Sequence, residues 1–401
     1  MEPHRSRAFR RAAATTTVAA TLAVLPAMTH APARAAENVD AAARSTDLAV
    51  STPPSVTYRI PALTVTNAGT VLAAFDKRND QSSDLPGDID VLVRRSTDSG
   101  ETWSEPREAI NHPGPQGCGD SSLVNDSSSG RIFLFCTYSA GEVGFPNSQP
   151  GTSDPDDPNT LHVRVMHSDD DGLTWSEPVD LNPQVKDPSW RAVFTSSGRG
   201  LRTSTGRLLQ PIVVKDAGGA VHSGNIYSDD GGKTWQRGEL LAAGTDESKP
   251  VELADGTIVQ NSRASNGTTR LRSTSHDGGR SFGAPVPHQQ LIDPRVNADE
   301  IRVDATGRGP ARDWLLFSNP ASTTARENLT LRLSCDNGST WPDQKQLHSG
   351  PSGYSVLTVL PNGRIGVFAE VGEQDYTEKL TFTSLALSDV AESCTPPGRH
   401  R

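Results

Sequence analysis

Beyond residue 35 the chain has no apolar run long enough to cross a bilayer, which argues against a helical membrane span there. It also lacks a convincing stretch of 3.6-residue periodicity, so helices are not expected to build its core. No CxxC or HxxxH spacing occurs, which argues against a metal site on cysteine or histidine. Positive charge is in deficit, with 38 Lys and Arg against 48 Asp and Glu and a formal net charge of −10. Such a surface argues against nucleic acid or anionic lipid as the main partner. An anionic small ligand would need its own local cluster of cations.

What is present begins with Arg5, Arg7, Arg10 and Arg11, then an Ala/Thr/Val/Leu run ending near Pro26, then Ala33-Arg34-Ala35. A basic segment, a short apolar segment and an A-x-A step predict a signal peptide over residues 1–35. The apolar segment is short and threonine-rich, so an uncleaved anchor is the weaker reading. Cleavage would take away five arginines and one glutamate and move the net charge from −10 to −14. The expectation is a secreted, extracellular protein with an N-terminal linker over 36–50 and one domain over 51–401.

Glycine (35) and proline (29) are plentiful, and the runs Thr70–Phe75, Arg131–Tyr138, Leu208–Val214 and Leu329–Leu333 sit between turn-rich segments. These features predict an all-β domain. The four cysteines, Cys118, Cys136, Cys335 and Cys394, fit an exported protein and allow three pairings. Cys118 and Cys136 flank a turn at Asn125–Gly130 that would bring them together, and Cys394 could staple the chain end to Cys335. The expected bridges are therefore Cys118–Cys136 and Cys335–Cys394.

Internal repetition narrows the fold. The pattern S-x-D-x-G-x-[ST]-[WF] occurs five times, at Ser96–Trp103, Ser168–Trp175, Ser228–Trp235, Ser275–Phe282 and Ser334–Trp341. Each copy follows a short β-like run such as Val91-Leu92-Val93-Arg94-Arg95, and so reads as a hairpin turn. The Asp and Ser side chains can cap turn N–H groups, the Gly allows positive φ, and the aromatic can pack between strands. The acidic residues are thus read as turn formers, not as catalytic or calcium-binding groups.

These octamers resemble the Asp-box, or BNR, repeat of sialidases and related propellers. The intervals of 47 to 72 residues approximate one four-stranded blade with variable loops. Five boxes with sequence left at both ends imply a six-bladed β-propeller, with one blade lacking a box or closed by the two termini. Because Asp boxes also occur in non-catalytic propellers, function must rest on other residues.

Those residues can be sought in order. Tyr58-Arg59-Ile60-Pro61 resembles the F/Y-R-I-P motif and implies that Arg59 belongs to an arginine triad. Asn261-Ser262-Arg263 resembles the segment of the second arginine, Arg263. Phe317–Ser322 followed by Arg326-Glu327-Asn328-Leu329 resembles that of the third, Arg326. Sialic acid carries a carboxylate on its anomeric carbon, and guanidinium forks bind a carboxylate bidentately. Arg94, Arg199 and Arg308 read instead as solvated or salt-bridged.

Thr245–Leu253 resembles the segment of the catalytic glutamate, Glu247, and Ser352-Gly353-Tyr354-Ser355 that of a tyrosine nucleophile, Tyr354. Sialidases are glycosidases with a tyrosine nucleophile, and a neutral phenol avoids repelling the substrate's carboxylate. The acid/base is expected at Asp84, in Asp84-Leu85-Pro86-Gly87, with Asp80 and Asp88 in the same loop. The resemblance further places Arg78, Asp120 and Asn297 near the sugar ring; for Asp120 a turn-capping role is the competing reading. Lys77 stands where the family usually has Gly.

The resemblance, from about Thr57 to Cys394, implies a retaining exo-α-sialidase acting on sialylated glycans, glycoproteins or glycolipids, as a monomer without metal or cofactor. Alternatives are a non-catalytic sialoglycan-binding propeller and a trans-sialidase or 2-keto-3-deoxynononic acid glycosidase.

Overall fold

The computed structural model describes residues 42–79, 81–151, 154, 157–304 and 311–394, all within the unit Val39–Arg401. The expected signal peptide, Asp80 and Arg308 lie outside them. Helix is confined, among the described residues, to single turns at Asn182–Val185 and Leu387–Asp389. None of these residues forms a helix long and apolar enough to cross a membrane.

The architecture is an all-β propeller of successive antiparallel sheets. Thr57–Val65, Val71–Arg78, Ile89–Ser96 and Arg107–Ile110 make one four-stranded sheet, and Thr245–Glu252, Ile258–Ala264, Thr269–Ser275 and Val286–Ile292 another. Sheets led by Gly117–Asp126 and Ala192–Thr195 lie between them in sequence. Gly198–Arg199 adds a parallel edge to the former and Leu201–Arg202 pairs within the latter. The remaining seven strands form one sheet whose 17-residue strand Asp343–Val359 changes partner midway. Its first part pairs with Glu327–Ser334, and from Ser352 it pairs with Ile365–Val371.

Strands such as Val71–Arg78, Leu208–Lys215 and Ile365–Val371 are buried almost throughout. They read as apolar runs because both sheet faces are covered, so neither face shows polar alternation. The last strand, Lys379–Leu385, pairs antiparallel with Arg44–Val50. The expected linker over 36–50 is therefore strand from Arg44 onward. Its polar sequence conceals this because most of its side chains stay exposed at the sheet edge.

The five boxes are turns of one design. In the first, the Gly100 N–H donates to Ser96 Oγ at 2.8 Å, and Thr102 donates from N–H and Oγ1 to the Asp98 carboxylate at 2.9 and 2.5 Å. The other four repeat the glycine-to-serine bond at 2.8 to 2.9 Å. Such bonds to the ionised form hold Asp170, Asp230 and Asp277 near a pKa of about 2, although burial opposes this at Asp277.

Gly100 has φ +89°, and a Cβ there would lie 2.3 Å from Phe382 of the neighbouring sheet. The corresponding glycines abut Leu72, Phe133, Leu209 and Arg272, each on the sheet before its own. Each box thus ends a hairpin and also seats it on the preceding sheet, which requires glycine for space as well as for backbone conformation. Cys118 is bonded to Cys136 and Cys335 to Cys394. The first bridge is fully buried and ties neighbouring strands together.

Candidate active site

Four leading strands carry a register shift, at Arg59/Ala62, Gly119/Ser122, Thr245/Ser248 and Ser352/Ser355. Arg59, Asp120, Glu247 and Tyr354 sit at these four interruptions. A bulge re-aims a side chain that regular pleating would send into a sheet-to-sheet interface. Two of the interruptions carry positive φ on non-glycine residues, +62° at Ile60 and +55° at Asp120. For a β-branched isoleucine that conformation is strained and must be held from outside. Glu370 does so, accepting the Ile60 N–H at 2.9 Å.

Tyr354 Oη donates to Glu247 Oε2 at 2.6 Å. Arg263 Nη1 donates to the same carboxylate oxygen at 2.8 Å and to Tyr354 Oη at 3.2 Å. Both members of the phenol–carboxylate pair are nearly fully buried. Burial raises the pKa of Glu247 despite the opposing charge of Arg263, and burial together with Glu247 raises that of Tyr354 well above the usual phenol range. At neutral pH the phenol is therefore protonated, with its hydroxyl directed at the Glu247 carboxyl group.

Arg59 faces the Tyr354 ring with its Cζ 5.4 Å from the centroid, and Arg326 does so at 5.6 Å. Three arginines separated by up to 267 positions thus surround one phenol. Arg59 is anchored by Glu370, which accepts from Nε at 3.0 Å and Nη2 at 3.1 Å. Burial works against the charge of Arg59, but Glu370 and Asp84 outweigh it and raise its pKa.

Asp84 accepts from Arg78 Nη2 at 2.8 Å and lies 3.7 Å from Arg59 Nη1, with its carboxylate three-quarters exposed. Crowding by the surrounding protein favours its neutral form, and the charges of Arg78 and then Arg59 overcome this and lower its pKa.

A cavity of about 200 Å³ opens onto these groups. Its polar side includes Asp84, Asp120, Asp246, Glu247, Arg263 and Tyr354, and Leu85, Phe145, Leu161 and Phe194 give it an apolar wall. Phe145 and Phe194 meet edge to face at 4.9 Å. Burial, reinforced by Asp76, Asp84 and Glu247, raises the pKa of Asp120. Burial likewise lifts that of Asp76 to about 7 against the pull of Arg78.

Asn297 is not brought to this cavity. Its Oδ1 accepts from the buried Lys249 Nζ at 2.6 Å, and its Nδ2 donates to Ser197 O and Oγ. Arg199 is paired with Asp299 and Arg94 donates to backbone carbonyls, so neither joins the cluster. Asp246, Glu370 and Tyr376 do belong to it and escape the sequence reading, Asp246 lying 3.8 Å from Arg263 Nε. Glu370 was signalled by a lone acid within the apolar run Ile365–Val371, because a buried charge needs a partner. Tyr376, close to Arg59 and Arg326, has no comparable signal.

Fold and cluster together define a β-propeller with a site suited to a carboxylate-bearing ligand beside a phenol–carboxylate pair. The model of the BNR repeat-like domain matches residues 69–367. A sialidase of Micromonospora viridifaciens is 44% identical over 79% of this chain and 50% of its own length. One of Bacteroides fragilis (strain YCH46) is 32% identical over 84% of this chain and 63% of its own. Among solved structures, a Hadza microbial sialidase superposes with a TM-score of 0.77 at 34% identity, covering 84% of this chain and 66% of that one. The chain belongs to the bacterial sialidase family with BNR repeats. It spans about half to two thirds of the length of these relatives.

Proposed function

We propose that the protein is a secreted exo-α-sialidase that removes terminal α-linked sialic acids from glycoconjugates with retention, on a propeller of six blades, two of them within the seven-stranded sheet whose strand Asp343–Val359 changes partner. The observation that carries the reading is the 2.6 Å bond from Tyr354 Oη to Glu247, within reach of Arg263 and flanked by Arg59 and Arg326. In this scheme the three arginines bind the sugar carboxylate, and Asp84 delivers a proton to the departing glycosidic oxygen. Tyr354 Oη, giving its proton to Glu247, bonds to the anomeric carbon. Water, deprotonated by Asp84, then bonds to the anomeric carbon as the bond to Tyr354 Oη breaks, the phenolate recovers its proton from Glu247, and the sugar leaves. A substrate carboxylate arriving at Arg59 weakens that arginine's hold on Asp84, so the acid gains proton affinity when it is needed.

Export fits two disulfides, and the substrates would be accessible sialylated glycans met by a monomeric enzyme. Release of sugar from 4-methylumbelliferyl-N-acetylneuraminic acid tests the proposal. The folded protein should hydrolyse it, and no release at any pH between 4 and 8 would overturn the reading.

A further inference from the structure

Arg59 and Arg326 meet a second aromatic ring besides that of Tyr354. Their Cζ atoms lie 5.3 and 5.1 Å from the centroid of Tyr376, within cation–π range. Tyr376 Oη also accepts from Arg326 Nη1 at 3.2 Å, and the other terminal nitrogen donates to Arg295 O at 3.2 Å. Both partners are neutral oxygens. Among the described residues no carboxylate lies within ion-pair distance of Arg326, whereas Arg59 has Glu370 and Arg263 has Glu247.

We propose that Tyr376 is a positioning residue that sets Arg59 and Arg326 for an incoming carboxylate while leaving the charge of Arg326 uncancelled. The inference deepens the sialidase reading and rests on it. Two guanidinium groups about one ring repel each other, and the ring attracts both. A carboxylate in the place of Tyr376 would orient Arg326 equally well but would compete with the ligand for it. A phenol oxygen orients without that competition.

The segment carrying the ring is built to hold it still. Glu378 accepts the N–H groups of Glu373, Gln374 and Asp375 at 2.9, 2.8 and 3.0 Å, Gly372 N–H donates to Pro351 O, and Ser51 Oγ donates to Thr377 O at 2.7 Å. Beside the phenol of Tyr354, a Cβ on Gly353 would lie 2.8 Å from the Tyr376 ring and 2.1 Å from Glu370. The glycine therefore lets Tyr376, Glu370 and Tyr354 pack together.

The test compares wild type, Tyr376→Ala and Tyr376→Phe in kinetics with 4-methylumbelliferyl-N-acetylneuraminic acid. Calorimetric binding of N-acetylneuraminic acid and of its methyl ester runs in parallel. Alanine removes two ring contacts and one hydrogen bond, and KM should rise about ten- to a hundredfold with kcat changed far less. Affinity for the free acid should fall in step, while the weaker binding of the uncharged ester stays the same. Phenylalanine, which keeps the ring, should raise KM about threefold. It supplies the same test should the alanine variant not fold. Unchanged KM and acid affinity in a folded variant, or equal losses for acid and ester, overturn the proposal for Tyr376 alone. An inactive wild type overturns the sialidase reading instead.

Discussion

Replacing Glu370 by glutamine changes one oxygen to an NH2 group in a site that is fully buried. The carboxylate receives four donors: Oε1 takes Arg59 Nε and Ile60 N–H, and Oε2 takes Arg59 Nη2 and Tyr354 N–H, all at 2.9 to 3.1 Å. An amide can present its oxygen to only one of these pairs. In either orientation its NH2 faces two further donors, which are left without acceptors. Each unsatisfied buried donor costs about 1–3 kcal/mol. Removing one charge of a buried ion pair costs about 3–5 kcal/mol in total, so the two routes agree. The variant should therefore lose about 3–5 kcal/mol in urea unfolding, read as a lower midpoint at constant slope. Because Glu370 also supports the backbone of Ile60 and Tyr354, kcat/KM should fall about a hundredfold in the variant that remains folded. A loss below about 1 kcal/mol with unchanged kcat/KM would refute the reasoning, because it would mean that the four donors find other acceptors.

Tyr354→Phe, which removes only the oxygen that reaches Glu247, should fold normally and lose ordinary turnover; wild-type kcat in that variant would end the nucleophile assignment. Asp84→Asn should slow cleavage of natural sialosides far more than of activated aryl substrates, which need little protonation, and equal losses on both would argue against an acid role. Asp76 has a folded pKa of about 7, above its ordinary value of about 3.9, so between those values the native state binds more protons than the unfolded chain. Its contribution is therefore fully present below about pH 4 and is lost as pH rises through 7, and Asp76→Asn should flatten this slope in urea titrations across pH 4–8. Reducing Cys118–Cys136, which closes a separation of 18 residues, should cost about 3 kcal/mol, and a reduced protein of equal stability would contradict that.

The parts legible in the sequence were those whose chemistry is local. An Asp box contains its own capping groups, so five copies could be recognised without knowing their neighbours, although only the structure shows each glycine resting on the preceding sheet. Arg59, Arg263, Arg326, Glu247 and Tyr354 stand out by short flanking motifs, and the structure brings their side chains together. Asn297, expected near the sugar ring, does not line the cavity, because the buried ammonium that claims its Oδ1 comes from Lys249, 48 positions earlier. The strand Arg44–Val50 looks like linker in sequence because its partner lies more than 300 residues away and its own side chains are mostly polar and exposed. Tyr376 was illegible for a similar reason, since its meaning depends on an arginine 317 positions distant.

On the proposed function, a chain with net charge −10 would have to hold an anionic sugar, and the charges of the cluster bear on how it could. Glu370 opposes Arg59, Glu247 opposes Arg263, and Asp84 opposes Arg78, each pair at 2.8 to 3.0 Å. Asp246 adds a second carboxylate 3.8 Å from Arg263, whereas Arg326 is oriented by neutral oxygens alone and, among the described residues, has no carboxylate within ion-pair distance. Burial, helped at Asp120 by neighbouring carboxylates, raises the proton affinity of Asp76 and Asp120, which limits the negative charge they add. Further cations would need burial without partners, at a cost that grows steeply in a site of low dielectric. An ionised carboxylate in place of the Tyr354 phenol would repel an anionic ligand at the point of attack. On this account the tyrosine and the unmatched arginine belong to one design. Placing an acid near Arg326, as in Tyr376→Glu, should weaken binding of the free acid more than Tyr376→Ala does. If the glutamate variant bound it as tightly as the alanine variant, the surplus charge would not be what holds the ligand.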